Sequence, residues 1–175
     1  MNKYEEAAKK RAEEKRNARI EARDKAQKFV DDFKAANGNK GMISLRIRDG
    51  YIGKELDNSG RKLQTERAKP RGTLVAIKGE DGKIYIGGVY KSNKDQDIPI
   101  VGIAEALKDA LAQKGGSDGN KIKPRDKDLI DFFSIRARCF FWPEIYSYTR
   151  GTNKLTYPNY DKIHANRKRV LGEDA

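Results

Sequence analysis

The segment from residue 72 to 112 constrains the fold more than any other part of the chain. Two apolar runs, residues 73–77 and 84–90, lie on either side of an Asp-Gly turn, and this arrangement is a strong β-hairpin signal. Apolar residues then recur at helical spacing between residues 98 and 113. We therefore expect a strand–turn–strand–helix unit in which the helix packs on the hairpin.

A long helix is predicted before this unit. Residues 2–36 contain no Gly or Pro and are rich in Ala, Glu, Lys and Arg, a composition that favours a helix. The first half lacks an apolar stripe, whereas the second half carries a narrow apolar seam, so we expect the second half to dock and the first half to project. The seam consists of Ala22, Ala26, Phe29, Val30 and Phe33. The projecting half is either a solvated helix, a basic arm for nucleic acid or a helix for a protein partner.

Residues 42–48 alternate between apolar and polar side chains, which predicts a half-exposed strand with Arg46 and Arg48 outward. A return strand is expected at residues 51–53 after an Asp-Gly turn. Residues 54–71 are polar, basic and rich in turn residues, so we expect a loop that is either simple surface or a contact for phosphates.

The remainder of the chain is expected to be mostly helical. Residues 114–125 read as a linker, and Asp126 is a candidate N-cap for a helix that runs to Pro143. Residues 144–157 are irregular or strand-like, and a last helix is expected from Asn159.

Together these features predict an α+β protein. Its core is a small antiparallel sheet of about four strands with a packing helix, flanked by a long N-terminal helix and a helical C-terminal part. The expected divisions are residues 1–40 for the charged helix, 41–113 for the hairpins and core helix, and 114–175 for the basic, aromatic-rich part.

The charge of the chain favours a polyanionic partner. The net charge is +12 and the isoelectric point is about 9.7, values that fit nucleic acid or a nucleoprotein complex. Residues 72–113 carry 5 basic and 6 acidic side chains, so the positive excess lies in the segments around the central unit.

The candidate nucleic-acid-binding residues come from four places: the first strand, the basic loop, the aromatic segment 132–150 and the C-terminal run 164–169. Arginines beside exposed aromatic rings can hold phosphates while the rings stack on bases, although these aromatic residues could instead form the core. The C-terminal run could equally be a solvated helix face. The candidates are Arg46, Arg48, Arg61, Lys62, Arg67, Arg71, Arg136, Arg138, Tyr146, Tyr148, Arg150, Arg167, Lys168 and Arg169.

The central hairpin resembles that of GIY-YIG nucleases, through residues 72–74 and 85–87 (Gly-Thr-Leu and Tyr-Ile-Gly). In that family the first element carries a tyrosine where this chain has Leu74, and the following helix carries an arginine that residues 98–113 lack. The family's histidine is also missing nearby, because the single histidine is His164. The resemblance implies at most a degenerate relative without the catalytic residues.

A looser resemblance links residues 88–106 and the aromatic helix that follows to small uncharacterised proteins of bacteriophages and mobile elements. It rests on Gly88, Val89, Asp95, Gly102 and the alanines at 104 and 106. It implies an origin, and with it an action on host nucleic acid or on a host defence or transcription complex.

No enzyme signature is evident. The chain has no Gly-rich phosphate loop and no Cys/His pair at zinc spacing, so we expect no catalytic residue, no metal site and no cofactor. Cys139 is the one cysteine of the chain, so it cannot form an internal disulfide. The charged N-terminus and the lack of a long apolar run favour an intracellular, cytoplasmic protein without a membrane segment.

The leading hypothesis is a non-enzymatic accessory protein that binds DNA or RNA through phosphate contacts. The alternative is a protein–protein effector that inhibits a host complex through residues 1–36. A metal-dependent nuclease is the third hypothesis.

Overall fold

The computed structural model describes residues 2–48, 70–80, 82–92, 97–119, 123, 126–144, 146–149 and 154–156. Its helices are α1 (Lys3–Asn37), α2 (Pro99–Lys114) and α3 (Lys127–Phe141). Its strands are β1 (Met42–Arg48), β2 (Pro70–Lys78), β3 (Ile84–Tyr90), β4 (Ser147–Thr149) and β5 (Lys154–Thr156). The predicted α+β class is confirmed.

The main sheet is antiparallel, with three strands in the order β1-β2-β3. It has one strand fewer than expected among the described residues, because the return strand predicted at 51–53 lies outside them. Pro70 and Arg71 belong to β2, so the prediction of a loop extending to residue 71 was wrong at its end.

Helices cover both faces of the sheet. Alternate residues of a strand point to opposite faces, and in β2 Leu74 and Ala76 pack with α3 while Val75 and Ile77 pack with α1 and α2. Because both faces are covered, β2 is a continuous run of buried residues rather than an alternating one.

Helix α2 approaches the sheet very closely at Gly87. A Cβ atom there would lie 2.1 Å from the carbonyl oxygen of Ala106. As a result the fully buried face of α2 combines Leu107 with small residues such as Ala106 and Ala110, while Ile100 and Ile103 are only half-buried. The sequence pattern had predicted that larger side chains, such as Ile100 and Ile103, lie at the centre of this buried face.

The outer edge of β3 is also covered by α2. The carboxylate of Asp109 accepts a hydrogen bond from the Gly88 N–H at 2.9 Å, and the side-chain amide of Gln113 donates to the Ile86 carbonyl at 2.8 Å. Backbone groups that an edge strand leaves open are therefore paired within the fold.

The two halves of α1 differ as predicted, but the prediction was wrong for Ala22, which was expected in the docking seam and is exposed. Ala26 and Val30 are buried against α2 and the sheet, with Phe29 and Phe33 packed beside them. Residues 2–25 are exposed along their whole length, Ala22 included. Gly38, at a φ of +78°, ends the helix in a conformation that disfavours other residues.

The described part of the chain after α2 contains both helix and strand. Helix α3 is confirmed, and residues 147–149 and 154–156 pair as an antiparallel hairpin, in line with the strand-like pattern expected there. The helix predicted from Asn159 lies outside the described residues.

Candidate nucleic-acid interface

Between residues 11 and 23, α1 carries its positive charges on one side, whereas Lys3 and Lys10 lie on the other side. At 100° per residue, its basic positions between residues 11 and 23 fall within a sector of about 140°, and that sector is centred on the same side as the docked Ala26 and Val30. They are Arg11, Lys15, Arg16, Arg19 and Arg23. The acidic residues from Glu6 to Asp24 fall in a separate sector of about 100° on the other side of the helix; Glu5 is the one exception.

This side of α1 forms one wall of a cleft at the start of α2, which we call the basic groove. It encloses about 690 Å³. Its lining consists of Ala12, Lys15, Arg16, Arg19, Ile20 and Arg23 from α1, with Asp97, Ile98 and Pro99 opposite.

Helix α1 runs alongside α2 in the same direction. The Lys108 ammonium lies 5.2 Å from the centre of the Phe29 ring, and ten residues earlier Arg19 lies beside Pro99 in the groove. The N-terminus of α2 therefore opens toward the cations of α1. Since the N-terminal end of a helix carries about half a positive charge, the two helices reinforce each other's potential.

Among the described residues that line the groove, Asp97 is the one acidic side chain, and its carboxylate is paired with Arg46. Arg23 makes a 3.6 Å pair with its exposed neighbour Asp24, a contact that contributes little in water. Within the part of the chain that the structure describes, Lys15, Arg16 and Arg19 make no ion pair. The groove can therefore accept several negative groups without first breaking a strong contact.

Arg46, predicted from the sequence to contact phosphate, lies at the edge of this groove. Its side chain is 28 % exposed rather than outward, because it pairs with Asp97 on the α2 side of the sheet. Arg48 follows it at the end of β1 and is half-buried.

Arg71 occupies a different environment. Its guanidinium donates to the Asp126 carboxylate at 2.6 Å, with exposed fractions of 14 % and 1 % for the two side chains. The Tyr90 hydroxyl donates to the other oxygen of the same carboxylate at 2.8 Å. Arg71 is thus part of the interior and is not placed to contact a phosphate, and the Asp126 side chain does not cap α3 as predicted.

The aromatic segment is mainly core. Phe132, Phe133, Phe141 and Trp142 are buried, which confirms the structural alternative weighed for the phenylalanines. Tyr146 is also buried, at 7 % exposure, and its ring lies 6.2 Å from that of Trp142. It is therefore not an exposed stacking platform.

The arginines of this segment lie against its rings. Arg136 is exposed above the Phe132 ring and Arg138 lies over Tyr146, each 5.9 Å from the ring centre. They are on α3, which covers the sheet face opposite to α1 and α2. The structure therefore does not bring them together with Arg46.

Several predicted site residues, or their side chains, lie outside the described part of the structure. The backbone of Tyr148 lies in β4, but its side chain is outside the described part. The others outside the described residues are Arg61, Lys62, Arg67, Arg150, Arg167, Lys168 and Arg169.

The sequence reasoning missed the groove residues of α1. Counting i,i+4 charge pairs treats the helix as evenly solvated, whereas plotting the charges between residues 11 and 23 around the helix axis separates them into one basic and one acidic side. That plot needs only the sequence. The placement of α2 against the basic side required the structure.

Two further groups bear on chemistry. Burial raises the pKa of the Cys139 thiol, so the thiol remains protonated and unreactive near neutral pH. Among the described residues, no group of three or more His, Cys, Asp or Glu side chains is placed to hold a metal ion. No described helix has both the length and the apolar character needed to cross a membrane.

Comparison with protein families, with characterised proteins and with solved structures found no match to this chain.

Proposed function

We propose that the protein is a non-enzymatic nucleic-acid-binding protein that holds the phosphate backbone in the basic groove. The observation that carries this proposal is the one-sided distribution of charge between residues 11 and 23 of α1. Four cations and the N-terminus of α2 line one cleft, and the one carboxylate among its described lining residues is paired with Arg46. A solvated helix would gain nothing from such a separation of charges.

The dimensions of the helix suit a polyanion. Residues 11 and 23 are twelve positions apart, which corresponds to about 18 Å along an α-helix. Duplex DNA rises 3.4 Å per base pair, so about five base pairs lie within this length. A row of four or five cations on one rigid helix can follow such a backbone without bending.

The dependence of the binding constant on salt concentration is the measure of this type of binding. Each phosphate neutralised releases condensed counterions, which lowers the logarithm of the binding constant by about 0.9 per tenfold rise in salt for duplex DNA. With four or five contacts in the groove we expect a slope of about −4. Contacts to phosphate carry no sequence information, so we expect little sequence preference. We place this activity inside the cell, where such a ligand is found.

The test is a salt titration of binding to labelled DNA and RNA of mixed sequence, with Mg²⁺ present and the products separated on a gel. The proposal expects salt-sensitive binding and intact nucleic acid. No binding near physiological salt would contradict it and would favour a protein partner for the projecting half of α1. Cleavage would contradict the non-enzymatic part and favour the nuclease hypothesis.

A further inference from the structure

A second cavity opens beside the basic groove and shares Asp97, Ile98 and Pro99 with it. We call it the side pocket. It encloses about 270 Å³, close to the lower end of the range for small-molecule sites, about 300–1,000 Å³. The shared wall makes the two cavities neighbours, so one ligand can occupy both.

The walls of the side pocket are largely apolar. Val89 from β3 and Pro99 and Val101 from α2 are among the apolar lining residues, and the cations Arg46 and Lys91 also line the pocket. The apolar walls suit a flat, apolar surface.

One hydroxyl faces this space. Thr73 lines the pocket, and its Oγ1 atom faces Gly102 of α2. The hydroxyl can both donate and accept.

Gly102 leaves free space in front of this hydroxyl. A Cβ atom at residue 102 would lie 2.7 Å from the Thr73 Oγ1 atom. Any other residue here would press on the hydroxyl and close the space between α2 and the sheet.

Polar groups of both kinds line the pocket. Arg46, across from Thr73 on the neighbouring strand, carries donors, and Asp97 and Glu105 carry acceptors; Arg46 and Asp97 also pair with each other. An apolar slot bordered by both donors and acceptors matches the face and edge of a nucleobase, which presents both kinds of group at its rim.

We infer that the side pocket takes one nucleobase of a strand whose phosphates lie in the basic groove. The inference rests on the proposed function and deepens it: the ligand then includes an unpaired base, from a single strand, a loop or a strand end. The pocket takes the place of the aromatic stacking platform expected on α3, whose rings are buried.

The test compares two labelled single strands of equal length at one salt concentration. One is an oligonucleotide of mixed sequence, and the other has the same sugar–phosphate backbone with every base removed. Insertion of a base should make the complete strand bind about tenfold more tightly, since burying or stacking one base contributes roughly 1–3 kcal/mol. Equal binding would overturn the inference and leave the proposed function standing. Binding of neither strand would overturn both.

Two variants locate the effect. Thr73→Val keeps the shape and removes the hydroxyl, so we expect about fivefold weaker binding of the complete strand and no change for the abasic strand. Gly102→Ala should lower the preference for bases further by narrowing the pocket. Thermal melting confirms that each variant is folded. If Thr73→Val is folded and retains the full preference for bases, the base does not reach this pocket.

Discussion

Arginines in two regions of this molecule have different roles. In the basic groove, Arg16 and Arg19 stand on an exposed helix with no ion pair among the described residues. Near α3, Arg71 is almost enclosed and holds a buried carboxylate. The comparison shows that net positive charge does not by itself identify a binding surface. Some of the cations stabilise the fold, and only the others are available to a ligand.

The largest effect should come from removing the buried cation. Arg71→Met leaves the Asp126 carboxylate enclosed without its partner, so we expect the free energy of unfolding to fall by about 3–5 kcal/mol. Urea denaturation measures this change. Arg136→Met is the matched control, since Arg136 is exposed on α3 and its guanidinium lies over the Phe132 ring; its loss should stay within about 1 kcal/mol. Equal losses in the two variants would remove the distinction between interior and surface arginines.

A second variant sharpens the account of the buried carboxylate. Tyr90→Phe removes the hydroxyl that donates to Asp126 at 2.8 Å and keeps the ring. Hydrogen bonds to charged groups contribute about 1.5–3 kcal/mol, so we expect a loss of about 2 kcal/mol in urea denaturation. An unchanged free energy of unfolding would mean that Arg71 alone satisfies the carboxylate.

The same hydroxyl predicts a dependence on pH. Burial, followed by the nearby Asp126 carboxylate, raises the pKa of Tyr90 above its usual value of 10.0. The folded state therefore holds this proton more tightly than the unfolded state, so the stabilisation is complete below pH 10 and is lost as the pH rises through the raised pKa. Denaturation between pH 8 and pH 11 should show the decline in the wild type and a smaller one in Tyr90→Phe. A parallel decline in both would assign it to other groups.

These predictions also mark what the sequence could provide. Periodicity was sufficient for α1, β1 and the hairpin of β2 and β3, because each has a local pattern of period 3.6 or 2. The contact of Arg71 with Asp126 joins residues 55 positions apart, and no local rule connects them. Asp126 has the residue type of an N-cap, and only the packing of α3 on the sheet shows that its carboxylate faces inward.

The groove was partly accessible from sequence. The basic side of α1 follows from the positions of its charges, but the wall opposite depends on how closely α2 packs. That packing depends on Gly87. Because glycine has no side chain, the backbone of α2 can occupy the space that a Cβ atom would fill. A glycine in a strand signals a close approach but does not tell which element approaches.

The smallest effect on stability should come from the groove itself. We define the groove variant as Lys15→Gln, Arg16→Gln and Arg19→Gln together. All three side chains are exposed, so we expect the free energy of unfolding to change by no more than about 0.5 kcal/mol. A large loss in urea denaturation would mean that these cations stabilise the fold, as Arg71 does.

The most direct test of the account is the salt dependence of duplex DNA binding by the groove variant and by a back-face variant. The back-face variant changes Lys10, Lys25 and Lys28 to Gln, which removes the same charge from the other side of α1. Each lost phosphate contact reduces the slope by about 1, so the groove variant should have a slope shallower by about 3 and much weaker binding. The back-face variant should remain close to the wild type. Equal losses in the two variants would show that net charge alone governs binding and would contradict the groove.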